Sequence, residues 1–205
     1  KAAVEDGRVS MEVLDEAVRR ILSVKMWLGL FENPYVPEDV IAQYEQSGLP
    51  KADVEIAREA AEKSIVLLKN DEQILPLSKA QKISLVGTLA ADAKEVCGAW
   101  AMSWKEEDCV SVLDGLKENG AQVSYYPCGG PEGELNEEEI RQACEDGDVI
   151  VAVVGEFCSM SGEASSKADI TLPGKQREML SKLLESGKPV VTVLMNGRPL
   201  ALGWE

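Results

Sequence analysis

Val149-Ile150-Val151-Ala152-Val153-Val154-Gly155 runs for seven residues without a polar side chain. It is followed by Glu156-Phe157-Cys158-Ser159-Met160-Ser161-Gly162-Glu163-Ala164-Ser165-Ser166-Lys167-Ala168-Asp169-Ile170 and then Leu172-Pro173-Gly174. A short apolar run rich in β-branched residues and closed by glycine reads as a strand buried on both faces. Beyond the polar loop, Lys175–Glu185 has helical periodicity and is closed by Gly187, and Pro189–Met195 is a second apolar strand. Strand, helix, strand is the unit that builds a parallel sheet, because parallel neighbours need a long crossover between them.

The same alternation continues upstream. Ile83–Thr88 reads as a strand, Val110–Asn119 as a helix ended by Gly120, Val123–Tyr126 as a strand and Glu137–Glu145 as a helix. The whole reads as a parallel α/β layer fold. Closer to the start, Ser10 is a good N-cap for a helix carrying Leu14, Val18, Ile21, Leu22 and Leu28 on one side, with Gly29 able to close it. Leu30 to Pro50, with three prolines and few periodic apolar positions, reads as an extended connection. A second helix from about Asp53 to Leu68 should open the main domain. Pro131–Glu139 is an acidic surface turn.

Bulk properties narrow the classes. With 205 residues the chain can bury one sizeable core, and its 45% hydrophobic and 28% charged composition is that of a globular domain. No run approaches the roughly 20 apolar residues of a membrane span. Lys1 to Arg8 lack the apolar stretch of a secretory signal, and any such signal would lie upstream. A formal charge of −15 opposes binding to a phosphate backbone, so nucleic acid is not the expected partner. Five cysteines at irregular spacing, no C-x-x-C pair and no histidine argue against zinc and against a disulfide framework. Free thiols fit a reducing, cytoplasmic compartment.

In a parallel sheet, ligands collect where loops leave the carboxyl ends of strands. Two exits qualify: Glu156 to Pro173, and Asn196-Gly197-Arg198-Pro199. The first holds two glutamates, an aspartate, four serines and a lysine in eighteen residues. Loops of that length in compact domains are usually functional or disordered, and this one is tethered at both ends by apolar elements. On pattern alone, Glu156 and Asp169 could equally cap the loop's own backbone.

The order of these residues narrows the choice. Gly155-Glu156, Ser161 to Ile170, Leu172-Pro173-Gly174 and Leu194-Met195-Asn196-Gly197-Arg198-Pro199-Leu200 together resemble the sugar-facing part of the second domain of glycoside hydrolase family 3. Upstream, Val18-Arg19-Arg20-Ile21-Leu22 and Gly29-Leu30-Phe31-Glu32-Asn33-Pro34-Tyr35 are similar to the segment closing that family's (β/α)8-type barrel. Ala57 to Ala61, Ser64 to Asn70 and Leu75-Pro76-Leu77 are similar to the entry of its second domain. The resemblance implies a three-layer α/β sandwich with a mostly parallel sheet over 53–205, incomplete at its C-terminal end. It would be preceded by the terminal barrel helix, 1–32, and a linker, 33–52.

The resemblance also implies an activity: retaining hydrolysis of terminal β-glycosides, most plainly β-glucosides. The barrel would supply an aspartate nucleophile and Glu163, by motif position, the general acid/base. A retaining glycosidase needs two carboxyl groups about 5–5.5 Å apart, and the proton donor must be held neutral at working pH. Glu156 is the alternative acid. Trp100, in Gly98-Ala99-Trp100-Ala101-Met102-Ser103-Trp104, resembles the family's Gly-x-Trp segment and is either a sugar platform or a packed side chain. Ser165 and Lys167 either touch sugar hydroxyls or shape the loop. Asp169, Asn196 and Arg198 read as structural, and Trp27 and Trp204 as core or docking residues.

No cofactor or metal is implied. The expected partners are a β-glucoside or oligosaccharide substrate and the barrel of the same protein, with an unfinished sheet edge inviting homo-oligomers. The rival class is a non-catalytic carbohydrate-binding or structural α/β module. A nucleotide-binding domain is disfavoured, since no strand leads into G-x-G-x-x-G or G-x-x-x-x-G-K.

Overall fold

The computed structural model describes residues 1–105, 108–130 and 132–202. Trp204 lies outside the described residues. The chain divides into two compact units, Lys1–Leu68 and Lys69–Glu205.

The first unit is helical: α1 (Ala2–Glu5), α2 (Met11–Trp27), α3 (Glu38–Ser47) and α4 (Lys51–Ser64). Ser10 caps α2 as expected, its hydroxyl accepting from the Val13 N–H at 3.3 Å, and Gly29 follows the helix with φ +68°. The extended connection expected over 30–50 is corrected by α3. Its prolines flank the helix instead of interrupting it: Pro37 and Pro50 stand at the N-caps of α3 and α4, and Glu38 and Asp39 place negative charge in the first turn of α3. None of the residues in these four helices is buried within the unit. Leu14, Val18, Ile21 and Leu22 form an exposed apolar stripe along α2.

The second unit is a four-stranded sheet of β1 (Lys82–Val86), β2 (Gln122–Tyr126), β3 (Val149–Gly155) and β4 (Val190–Met195) in the order β2-β1-β3-β4. Every pairing is parallel, with Ile83 opposite Val149 and Val151 opposite Val191. Helices α5 (Val112–Glu118), α6 (Glu137–Asp146) and α7 (Gln176–Glu185) cover the faces. Ile150, Ala152 and Val154 pack with Ile140 and Ala143 of α6 and with Met179, Leu180 and Leu183 of α7. Val149, Val151 and Val153 face the other way, onto Leu89 and onto Val112, Leu113 and Leu116 of α5. This is the expected three-layer arrangement, and it explains why β3 lacks a polar face: all seven of its residues are buried. β4 stands at a sheet edge with none of its residues fully buried.

The strand order places the reversal of connection direction between β1 and β3. Loops leaving those two neighbours diverge, opening the crevice where α/β sheets take their ligands. The Trp100 segment follows β1 and the Glu163 loop follows β3, so topology alone brings the two to the same end of the sheet. Among the described residues no helix is long and apolar enough to cross a membrane, and no group of three His, Cys, Asp or Glu side chains could hold a metal ion.

Candidate functional site

The loop carrying Glu163 starts from a tightly built exit. Gly155 has φ +145°, and a Cβ there would lie 1.8 Å from the Met195 carbonyl oxygen, so only glycine lets β3 and β4 end side by side. The next residue, Glu156, donates its N–H to the same Met195 oxygen at 2.8 Å and turns its side chain inward, where none of it is exposed. Arg198 Nε donates to Glu156 Oε2 at 3.0 Å. Lys167 Nζ lies 3.5 Å from Glu156 Oε1, an ion pair without hydrogen-bond geometry. Glu156 therefore meets two cations, which is how a carboxylate survives burial.

Arg198 does more than neutralise Glu156. Its Nη2 also donates to the Ser165 carbonyl at 3.1 Å and to the Met160 carbonyl. Met160 and Ser165 bracket the five-step stretch that contains Glu163. Within it, the Ser165 N–H closes a tight turn onto the Gly162 carbonyl at 3.3 Å, with Ala164 held at φ +61° and Gly162 at φ +95°. A Cβ on Gly162 would lie 2.8 Å from Ala99 Cβ and 3.7 Å from the Trp100 indole, so the turn is seated directly on the Trp100 segment. Glu95 adds a further tie: its carboxylate accepts from the Cys158 N–H, joining the loop after β3 to the 3₁₀ turn Glu95–Cys97.

Glu163 sits at the tip of this turn. It is exposed, and it has no hydrogen-bond or ion-pair partner among the described residues. Trp100 packs next to Gly162, the residue before Glu163, and is 67% exposed. The two glutamates of the loop thus differ sharply: Glu156 is buried and consumed by cations, Glu163 is free and presented.

The remaining residues singled out from the sequence are placed as follows. Ser165 Oγ donates to the Ser159 carbonyl at 3.2 Å, and Lys167 is partly buried between Glu156 and Met160 Sδ, 3.9 Å from the latter. Asp169 accepts from the Thr171 N–H at 2.9 Å and hydroxyl at 2.7 Å, and these bonds hold its carboxyl below the usual range. Asn196 Nδ2 donates to the Arg198 carbonyl at 2.5 Å, closing the turn after β4. Trp104, Gly98, Ala99, Cys158 and Ser159 line a depression next to the Trp100 segment. Trp27 is 84% exposed within the first unit.

Sequence reasoning read Arg198 as structural but did not find its partners, Glu156 and the Met160 and Ser165 carbonyls. A signal existed: Gly155 pairs with Met195 in the β3–β4 register, so residues leaving the two strands are neighbours and an arginine there can reach a glutamate across the ladder. The approach of Cys97 Sγ to Cys109 Sγ, at 3.0 Å, carried no spacing signal.

The sequence pattern of the glycosyl hydrolase family 3 C-terminal domain matches residues 65–205. The chain belongs to glycosyl hydrolase family 3. Among its relatives, the periplasmic β-glucosidase of Salmonella typhimurium is 37% identical over 97% of this chain, and a β-xylosidase of Formosa agariphila is 36% identical over 95% of it. Among solved structures, a β-glucosidase from Listeria innocua in complex with isofagomine superposes with a TM-score of 0.82 at 37% identity and covers 97% of this chain. A mutant of that Listeria enzyme in complex with laminaribiose gives 0.83 at the same identity and coverage. The chain spans about 30% of the Salmonella protein's length and 28% of the Listeria chain in the isofagomine complex.

Proposed function

We propose that this family 3 chain forms part of a retaining β-glycosidase that removes terminal sugars from β-glucosides, and that it contributes the general acid/base, Glu163. The observation that carries the assignment is the contrast between the two loop glutamates. A proton donor must be able to reach a glycosidic oxygen and to change protonation state during the cycle. Glu163, unpaired at the tip of a braced turn, meets both needs. Glu156, buried between Arg198 and Lys167, meets neither, because protonating it would leave two cations without their anion.

In this reading the leaving oxygen is protonated by Glu163 as a carboxylate from another part of the protein attacks the anomeric carbon. Glu163, now ionised, then activates the water that releases the sugar. Closing over substrate, with removal of water and approach of a second carboxylate, supplies the neutral form that donation requires. Trp100 offers its apolar face to the sugar or aglycone beside Glu163. Ser165 and Lys167 serve the loop's shape, since their polar atoms are already engaged within it. The exposed stripe of Leu14, Val18, Ile21 and Leu22 fits a helix that docks on a barrel of the same protein.

The test compares wild type with Glu163→Ala, expressed from the full reading frame, on an activated aryl β-glucoside and on cellobiose. Loss should be far greater on cellobiose, whose leaving group needs protonation, and azide should restore turnover by forming a β-glucosyl azide of retained configuration. Equal loss on both substrates with no azide rescue would overturn the assignment of Glu163. Retained sugar binding without hydrolysis by wild type would favour a non-catalytic module.

A further inference from the structure

Resting on the reading of Glu163 as acid/base, we propose that Glu156 and Arg198 form a positioning clamp that sets where the Glu163 carboxyl stands, with Arg198 as the residue that transmits the rigidity of the sheet to the catalytic turn. Glu156 is rooted in the sheet. It directly follows β3, its backbone N–H is tied to Met195 of β4 at 2.8 Å, and its side chain is fully buried. Arg198 is rooted in the neighbouring strand exit, three residues beyond β4.

The guanidinium then spends its donors on two different things. Nε meets the Glu156 carboxylate at 3.0 Å, while Nη2 meets the carbonyls of Met160 and, at 3.1 Å, Ser165. A planar fork with fixed donor directions can hold three acceptors in a set geometry, and a lysine ammonium at that point cannot do the same. The two carbonyls lie on either side of Glu163, so the stretch Met160–Ser165, which contains the turn, is held at both ends by one nitrogen. Glu163 itself makes no bond that would fix it among the described residues. Its position is inherited from the backbone beneath it, and that backbone is inherited from Arg198.

A clamp that only stabilises the fold and one that positions an acid differ in what they change. Displacing a catalytic group by about 1 Å costs on the order of 100-fold in rate. Because the displaced group is the proton donor, the cost should fall on substrates that need protonation. Neither Glu156 nor Arg198 touches substrate in this scheme.

The experiment uses Arg198→Ala and Arg198→Lys in the enzyme expressed from its full reading frame, assayed on cellobiose and on 2,4-dinitrophenyl β-glucoside, with thermal unfolding of each variant measured alongside. The expected result for Arg198→Ala is a fall of about 100-fold in kcat/KM on cellobiose, with a change of only a few-fold in kcat/KM on the dinitrophenyl glucoside, because this ratio reports the first step, where only the poor leaving group needs a proton. Millimolar guanidinium, well below denaturing concentration, should restore the cellobiose activity selectively. Arg198→Lys should recover part of the stability but little of the cellobiose activity. Azide should not accelerate Arg198→Ala as it does Glu163→Ala, since the carboxylate is still present.

An equal fall on both substrates, or no fall in a folded variant, overturns the clamp as a positioning device. Failure of both variants to fold also overturns it, by making the pair a requirement of the fold alone. If Glu163→Ala lacks the leaving-group signature, the acid/base assignment fails and the clamp falls with it. If Glu163→Ala shows the signature while Arg198→Ala does not, only the clamp fails.

Discussion

The side-chain amide of Gln176 pairs with the backbone of Gly155 as a strand would, accepting from its N–H at 2.7 Å and donating to its carbonyl at 2.8 Å, and it donates as well to the Pro173 carbonyl at 3.2 Å. Gln176 is the first residue of α7, so one side chain joins the end of the central strand to the start of the helix that covers it and closes the Glu163 loop behind itself. All three backbone groups lose their partner if the amide is removed.

Gln176→Ala should therefore destabilise the sheet unit by about 2–4 kcal/mol, the cost of leaving buried backbone groups unsatisfied, offset by local rearrangement. Gln176→Glu should be at least as costly, although nearly isosteric, because a carboxylate cannot donate to the Gly155 and Pro173 carbonyls and burying its charge is itself costly. Urea denaturation followed by circular dichroism checks both values. A Gln176→Glu variant as stable as wild type would show that the donor bonds contribute nothing.

Acid stability has an identifiable source. The Lys82 ammonium hydrogen-bonds to Asp146 and, with help from Ser124 and the Tyr126 hydroxyl at 2.9 Å, holds the Asp146 carboxyl down at about 2. In the unfolded chain an aspartate titrates near its ordinary value of 3.8. A group whose folded pKa is depressed contributes stability at pH above the unfolded value and loses it as pH falls through the folded value. The contribution should thus be complete at pH 5 and vanish between about pH 4 and 2. Asp146→Asn should lower the urea midpoint at pH 6 and reduce the difference from wild type by pH 2, both measured in the same ionic strength. A gap that stays constant across that window would mean that charge on Asp146 is irrelevant.

The thiols should react in a set order. Burial pushes Cys128 up to about 12, and its side chain is fully buried; the hydrogen bond to Cys109, followed by burial, pushes Cys97 to about 11. Alkylation proceeds through the thiolate. At pH 8 iodoacetamide should therefore leave Cys128 unlabelled in the folded protein and label Cys97 slowly, with the Cys97 rate still rising between pH 9 and 11. Peptide mass spectrometry of samples quenched at intervals would follow each cysteine. Rapid labelling of Cys128 at pH 8 under native conditions would place it outside the packed layer between the sheet and α6.

How far the site could be read without coordinates differs from residue to residue. β3 was readable in full, Val149 to Gly155, because a strand covered by helices on both faces must be apolar at every position. α3 was not, because its apolar positions Val40, Ile41 and Tyr44 are few and the prolines on either side read as breaks until their place at the caps is seen. Glu163 was nameable from the order of residues around it, yet its freedom from partners was not. Arg198 looked like one polar residue in a turn.

Sequence alone determined the alternation of strands and helices, the parallel layered sheet, the two strand exits where chemistry collects, and membership of a family whose order of motifs the chain repeats. Those features are local or periodic, and periodicity is written directly in the order of side chains. Only the tertiary structure decided which loop glutamate is buried and which is presented, and that Arg198, forty-two residues from Glu156, is the group that separates their fates. The register of β3 on β4 and the seat of Gly162 on Trp100 are long-range packing relations, and a linear chain carries no mark of which of its distant charges will be buried together.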